Sequence, residues 1–363
     1  MIKYNPDNER LKHRYYAFLK QAKGRDDATI DGVSMALRRF EEHTKFKDFR
    51  TFRPEQAVSF KAHLAKRANA TTGKPLSKAT QHQTSNALKT FFQWLSAEPG
   101  YRSRITYSHA DYFNLSEKDV RVATAKRNRP VPSLEQIHHV LRLMPYGTET
   151  EKRDRALVAF LLLTGMRDGA VASMRIGLVN LDDACVFQDA RLVKTKFAKT
   201  FRSWFFPVGG NALDVVTGWI GYLANDKLYG PDDPLFPISK VINGPNLHFI
   251  GAGLERRSWT NAGPIRKIVK EAFLKAGFAP FNPHSFRKTL VRLGQQLCKT
   301  PEEFKAWSQN LGHEDVMTTF SSYGDLDDHR RRQVLTDIMI EPSKNETQAD
   351  ERKRLIKRLG ELG

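Results

Sequence analysis

Apolar residues recur at helical spacing along most of this chain, and the exception is a strand-like stretch from Val186 to Val208. Pro54 can open a helix in which Val58, Leu64 and Ala65 share helical spacing, and Leu88, Phe91, Phe92 and Leu95 form an apolar stripe ended by Pro99-Gly100. Residues from about 10 to 115 therefore read as a small helical bundle. Its remaining faces carry Lys61, His63, Lys66, Arg67, Lys74, Lys78, Gln81, Gln83 and Lys89, side chains that suit phosphate and groove contacts. A solvated helix face is the competing reading of any one of them. From Arg121 to Pro132 the apolar anchors thin out while Arg121, Lys126, Arg127 and Arg129 accumulate ahead of Pro130 and Pro132. The expected organisation is an N-terminal helical domain over 1–120, a basic linker over 121–132, a second domain over 133–340 and a charged tail over 341–363.

The second domain reads as helices around a small antiparallel sheet. Ser133 and Gln136 fit a capping box, so a helix runs towards Pro145 with Leu134, Ile137, Val140 and Leu141 on its buried face. The next helix, about Glu151 to Leu163, is strongly apolar, and Gly165 is placed to take the left-handed conformation that ends it. Arg191 to Phe197 and Thr200 to Pro207 flank an Ala198-Lys199 turn and predict a hairpin. Pro264 and Gly277 bracket a helix with Ile265, Ile268, Val269 and Phe273 on one side. A helix after Pro283 puts His284 and Arg287 on one face, and Thr300-Pro301-Glu302-Glu303 starts another that Gly312 ends, so that His313 emerges at a helix end.

Composition narrows the partner. With 59 Lys plus Arg against 40 Asp plus Glu, the chain of 363 residues has a net charge of +19, which favours a polyanion. Nucleic acid suits that charge better than a membrane, because the longest uncharged apolar run, Ala156 to Met166, is about half the roughly 20 residues a spanning helix needs. Only two cysteines occur, Cys185 and Cys298, without metal-ligand spacing. Met1 to Arg10 lacks the apolar stretch of a signal peptide, and a reducing cytosol is the expected compartment.

The candidate chemistry lies in fixed order in the second domain: Thr164-Gly165-Met166-Arg167, the lysine-bearing hairpin, His284-Ser285-Phe286-Arg287, Leu311-Gly312-His313, then Tyr323. Attack on a phosphodiester adds negative charge to the nonbridging oxygens, and two arginines can bracket both, since each planar guanidinium gives paired hydrogen bonds and stays protonated. A tyrosine hydroxyl, with a pKa of about 10, needs a base or an electropositive pocket to become a nucleophile. His284 can take its proton, His313 can donate to the phosphate, and a lysine can protonate the departing oxygen. No cofactor and no metal is expected. Each residue alone has a bland reading: Arg167 as a buried arginine on backbone carbonyls, a histidine as a satisfied polar group on a helix, Tyr323 as a packed turn residue. The ordered conjunction favours the chemistry.

On these motifs the segment from about Pro130 to Arg332 resembles the catalytic domain of the tyrosine recombinase (phage integrase) family. The segment from about Arg10 to Leu115 is similar in kind to that family's core-binding, SAM-like domain. The resemblance implies a mainly α protein with a small antiparallel sheet, an N-terminal SAM-like bundle and an α+β tyrosine-recombinase catalytic domain. It implies a site-specific recombinase or integrase that clamps double-stranded DNA, forms a transient 3′-phosphotyrosyl link and exchanges strands within a homotetramer. The implied catalytic set is Arg167, Lys196, His284, Arg287, His313 and Tyr323. Three features depart from the family pattern. Ala170 stands where the family usually has an acidic residue. Tyr323 lies one residue further from His313 than usual, Ser321-Ser322 supplying the extra one. Among the hairpin lysines, the Thr195-Lys196 pair favours Lys196 while counting back from Pro207 favours Lys199; Lys196 is preferred. Two other functions stay open: a DNA-binding accessory protein that no longer cuts, and supercoil relaxation by a single protomer as in type IB topoisomerases.

Overall fold

The computed structural model describes residues 4–69, 72–125, 130–243 and 249–313, together with 332, 335 and 336. Tyr323, Thr318-Thr319, Ser321-Ser322, the linker cations Lys126, Arg127 and Arg129, and the tail 341–363 lie outside the described residues. The chain divides into two compact units, Met1–Arg127 and Asn128–Gly363. Both are chiefly helical with small antiparallel sheets confined to the second, as the sequence predicts.

The first unit packs α1 (Pro6–Gln21), α2 (Asp27–His43), α3 (Pro54–Lys66), α4 (Lys78–Leu95) and α5 (Glu117–Thr124). Its core is aromatic: Phe40 meets Phe60 edge-on at 5.3 Å and Phe92 at 5.4 Å, and Phe52 and Phe113 close the cluster around Phe92. Edge-to-face rings fill space at favourable quadrupole geometry, so a few large side chains hold several short helices together. Helix α5 occupies the start of the stretch read as linker, with Ser116 capping it through the Asp119 amide. Its alternation of small, polar and basic residues hid an eight-residue helix that buries no residue.

The second unit is built on α7 (Glu149–Thr164), in which every residue from Ala156 to Thr164 is buried. A helix apolar on all sides is a core element, and α6 (Leu134–Leu143), α9 (Ala212–Asn225), α10 (Gly263–Lys275) and α11 (Pro283–Leu297) surround it. Gly165 ends α7 at φ +58°, as its position predicted, and Leu311 and Leu290 pack against it. The short α8 (Asp168–Val171) follows, and α12 (Pro301–Asn310) ends at Leu311-Gly312. Both expected capping boxes form, at Ser133/Gln136 and Thr300/Glu303.

The hairpin differs from its prediction. The strands are β2 (Cys185–Gln188) and β3 (Phe201–Trp204), with Cys185 opposite Trp204, and β1 (Val179–Asn180) extends the sheet on the far side of β2. Residues 191–197 are therefore not a strand. The cause is Asp189: its carboxylate accepts from the Arg191 amide and guanidinium, its carbonyl accepts from the Leu192 and Val193 amides, and the chain turns there. Lys194, Lys196 and Lys199 thus sit in a connecting loop, in which Phe197 and Ala198 take positive φ. A second hairpin, β4 (Ile238–Asn243) with β5 (Phe249–Glu255), was not anticipated, since Gly244-Pro245 masks its alternation. The Glu149 carboxylate anchors its base through the Leu254 amide.

Alanine at Gly165 would place its Cβ 2.7 Å from Leu311 Cδ2 and 2.8 Å from Leu290 Cδ1, in a left-handed conformation. Left-handed strain of about 1–2 kcal/mol and overpacking of about 1–3 kcal/mol predict that Gly165→Ala destabilises the second unit by about 2–5 kcal/mol. Urea denaturation measures this, and an unchanged midpoint would contradict the packing described.

Candidate active site

The end of α7, the start of α11 and the end of α12 meet at one guanidinium. Arg287, in the second turn of α11, is 4% exposed. Its Nη1 donates to the Gly165 carbonyl at 2.5 Å, and its Nη2 donates to the Leu311 carbonyl at 2.7 Å and to His313 Nε2 at 2.9 Å. Burial, then the nearby charge of Arg167, pushes its pKa down. A guanidinium remains protonated under such pressure, so the shift measures how unfavourable its isolated charge is.

Arg167 is half-buried at the first position before α8, where the Ala170 and Val171 amides bond to its carbonyl and fix the backbone. Burial pushes its pKa down as well. Among the described residues no carboxylate pairs with Arg167 or Arg287. Two partly desolvated cations within electrostatic reach of each other, without an anion of their own, make a site for a bound anion.

Two histidines border the pair. Asn282 caps α11 by accepting from the Ser285 amide, which places His284 in the helix's first turn. Desolvation, then Arg287, Lys288 and Arg167, lower the His284 pKa, and Asp168 opposes them weakly. His313 is pushed down to about 4, by desolvation first and then by Arg287, Arg167, His284 and Lys199. Both rings are therefore neutral near pH 7. Because Arg287 donates to His313 Nε2, the neutral ring carries its proton on Nδ1.

The structure thus brings Arg167, His284, Arg287 and His313 together, and it separates the lysines. Lys196 is exposed, with Nζ lying 4.7 Å from the centroid of the Phe197 ring. Lys199 is half-buried and is the lysine whose charge reaches His313. Lys199 is the residue that counting back from Pro207 favours, and Lys196 the one that the Thr195-Lys196 pair favours. Asp168 was overlooked: it bonds Arg266 Nε at 2.5 Å and acts on His284 as an acid. Ala170 is buried, so the usual acidic position contributes no charge. In the first unit, Gln81 is buried on the Leu76 carbonyl and is structural, while Lys61, Arg67, Lys78 and Lys89 are bound within the unit; His63, Lys66, Lys74 and Gln83 are exposed.

An arginine pair bordered by histidines at three helix ends has the charge to take an anion, and comparison gives the family. The model of the phage integrase family matches residues 133–330, more than half of the chain. The protein belongs to that family, the tyrosine recombinases. Tyrosine recombinase XerD of Staphylococcus haemolyticus is 23% identical over 222 residues, covering 60% of this chain and 66% of its own. Tyrosine recombinase XerC 2 of Ralstonia nicotianae is 29% identical over 141 residues, covering 39% of this chain and 36% of its own. The chain spans less than two thirds of the length of both. The structure of a lambda integrase dimer bound to a COC′ core site has the same fold, with a TM-score of 0.59 at 13% identity over 88% of this chain and 96% of that one. Among the described residues no helix is long and apolar enough to cross a membrane.

The His313 value fixes a pH dependence. Its folded pKa of about 4 lies below the ordinary 6.5, so between these values the unfolded chain takes up a proton that the folded site refuses. Stability from this group is complete above pH 6.5 and is lost as pH falls towards 4. Carbon-13 NMR of labelled histidine is expected to show the His313 midpoint close to 4 in the free protein. A midpoint at or above the ordinary value would show that the site does not repel the proton.

Proposed function

We propose that this protein is a site-specific DNA recombinase that cleaves and rejoins double-stranded DNA through a 3′-phosphotyrosyl intermediate on Tyr323. The observation that carries the reading is the convergence of two guanidiniums, without carboxylate partners among the described residues, with two neutral histidines. A DNA phosphate supplies the missing anion, and its binding lowers the repulsion that depresses both imidazole pKa values. The family membership, the net charge of +19 and the DNA-bound lambda integrase support the same substrate.

In this mechanism Arg167 and Arg287 hold the two nonbridging oxygens and stabilise the charge that grows on them. Neutral His284 accepts the phenol proton as the Tyr323 oxygen attacks phosphorus, and His313 Nδ1–H donates to the phosphate. The bond to the 5′ oxygen breaks, and a lysine ammonium gives that oxygen its proton. Lys199 takes this role in preference to Lys196, because its charge is the one that reaches His313. The phosphotyrosyl ester keeps the energy of the broken bond, so a 5′ hydroxyl from another duplex reverses the step and completes strand transfer. Strand exchange between two sites calls for four active protomers, which makes a homotetramer on DNA the expected assembly.

A nicked duplex that traps the cleaved product provides the test. In chelator, the wild-type protein is expected to give a denaturation-resistant protein-DNA adduct that is absent from Tyr323→Phe. Arg287→Ala lowers its rate of formation by about 10²–10³-fold, the usual effect of deleting a preorganised charge donor. Lys199→Ala costs about 10²-fold or more and Lys196→Ala costs less, as general-acid loss requires. Sequence-specific binding without any adduct would instead identify a non-cleaving accessory protein, a reading that Ala170 and the displaced Tyr323 favour.

A further inference from the structure

Strand β3 lies at the open edge of its sheet, where the N–H and C=O of Trp204 face away from β2. Asn310, the last residue of α12, satisfies both: its Oδ1 accepts from the Trp204 amide at 2.7 Å, and its Nδ2 donates to the Trp204 carbonyl at 2.9 Å. The Asn310 carbonyl also accepts from Ser203 Oγ at 3.0 Å, and Ser203 Oγ in turn accepts from Gln188 Nε2 at 3.0 Å, with Ser203 and Gln188 both buried. A carboxamide here replaces a missing strand.

The contact continues towards the site. The Phe201 ring lies on Gly312 so closely that a Cβ there would sit 2.6 Å from it. Lys199, two residues before Phe201, acts on His313, one residue after Gly312. Residues 199–204 and 310–313 therefore run beside each other in opposite senses, matched at Trp204 with Asn310, Phe201 with Gly312, and Lys199 with His313. The Asn310 end of this pairing is specific and two-point, whereas the loop from Asp189 to Thr200 has little regular structure beyond one short turn.

We propose that Asn310 is a positioning residue whose carboxamide fastens the lysine-bearing hairpin to the end of α12, so that Lys199 is held across His313 at the reacting phosphate. The inference rests on the recombinase reading for its catalytic part and on the backbone contact for its structural part, and the experiment separates them. Asn310→Ala removes both bonds and Asn310→Asp keeps only the acceptor. On ordinary DNA, Asn310→Ala is expected to form adduct about 100-fold more slowly, the scale of loss from a small misplacement of a catalytic group, with Asn310→Asp in between. On DNA carrying sulfur in place of the 5′ bridging oxygen, a thiolate leaves without needing a proton, and both variants are expected to approach the wild-type rate. DNA affinity and thermal midpoint remain near wild type, and amide exchange at Trp204 accelerates in Asn310→Ala, which loses the Oδ1 acceptor, and not in Asn310→Asp, which keeps it. An unchanged rate on ordinary DNA, or a loss that sulfur does not restore, overturns the positioning role. Unchanged exchange at Trp204 in Asn310→Ala overturns the fastening itself. If the wild-type protein forms no adduct with either DNA, the recombinase reading fails, and the exchange measurement still decides whether Asn310 holds the hairpin.

Discussion

The second unit is organised around the burial of one positive charge. Arg287 has 4% of its surface exposed and no carboxylate among the described residues, and it is held by the carbonyls of Gly165 and Leu311 and by the His313 ring. Backbone carbonyls offer only partial negative charge, so they orient the guanidinium without neutralising it. Each comes from a helix end whose carbonyls are left unpaired by the helix itself. Arg287 therefore joins the ends of α7 and α12 to α11. The close packing of Leu311 and Leu290 on Gly165 is the apolar side of the same junction, since the carbonyls reach Arg287 only when those ends touch.

The electrostatics follow from that junction. Desolvation opposes a proton on either histidine most, and Arg167 and Arg287, with no carboxylate pairing them among the described residues, add repulsion. Neutral imidazoles are what the proposed chemistry uses, one to take a proton from a phenol and the other to donate from Nδ1. The same repulsion favours phenolate over phenol for a tyrosine delivered to this pocket. Electropositive character and available bases are consequences of a single arrangement.

Much of this was legible in the sequence because it depends on local rules. Gly165 ends an apolar helix, Ser133/Gln136 and Thr300/Glu303 are capping boxes, and His284 and Arg287 lie on one face of α11; each follows from spacing and side-chain type. What was not legible depends on contacts distant in sequence or on competition between local options. The first hairpin strand fell at Cys185–Gln188 because the Asp189 side chain turns the chain before the β-branched and aromatic run begins. The choice between Lys196 and Lys199 turns on how that loop lies against α12, a relation more than a hundred residues apart that no local pattern encodes. Asp168 went unnoticed because its partner, Arg266, is 98 residues away.

Ala170 shows how a changed residue can shift charge within a site. An acid at that buried position would face a dense apolar neighbourhood, and the role of fixing the Arg167 backbone is already met by the α8 amides that bond to its carbonyl. Among the described residues Asp168 bonds Arg266 and acts weakly on His284. For Arg167 this means that, among the described residues, no carboxylate competes with a phosphate for its donors. For His284 it means a small attraction that partly offsets the arginines and raises its basicity, which is the direction a proton acceptor needs.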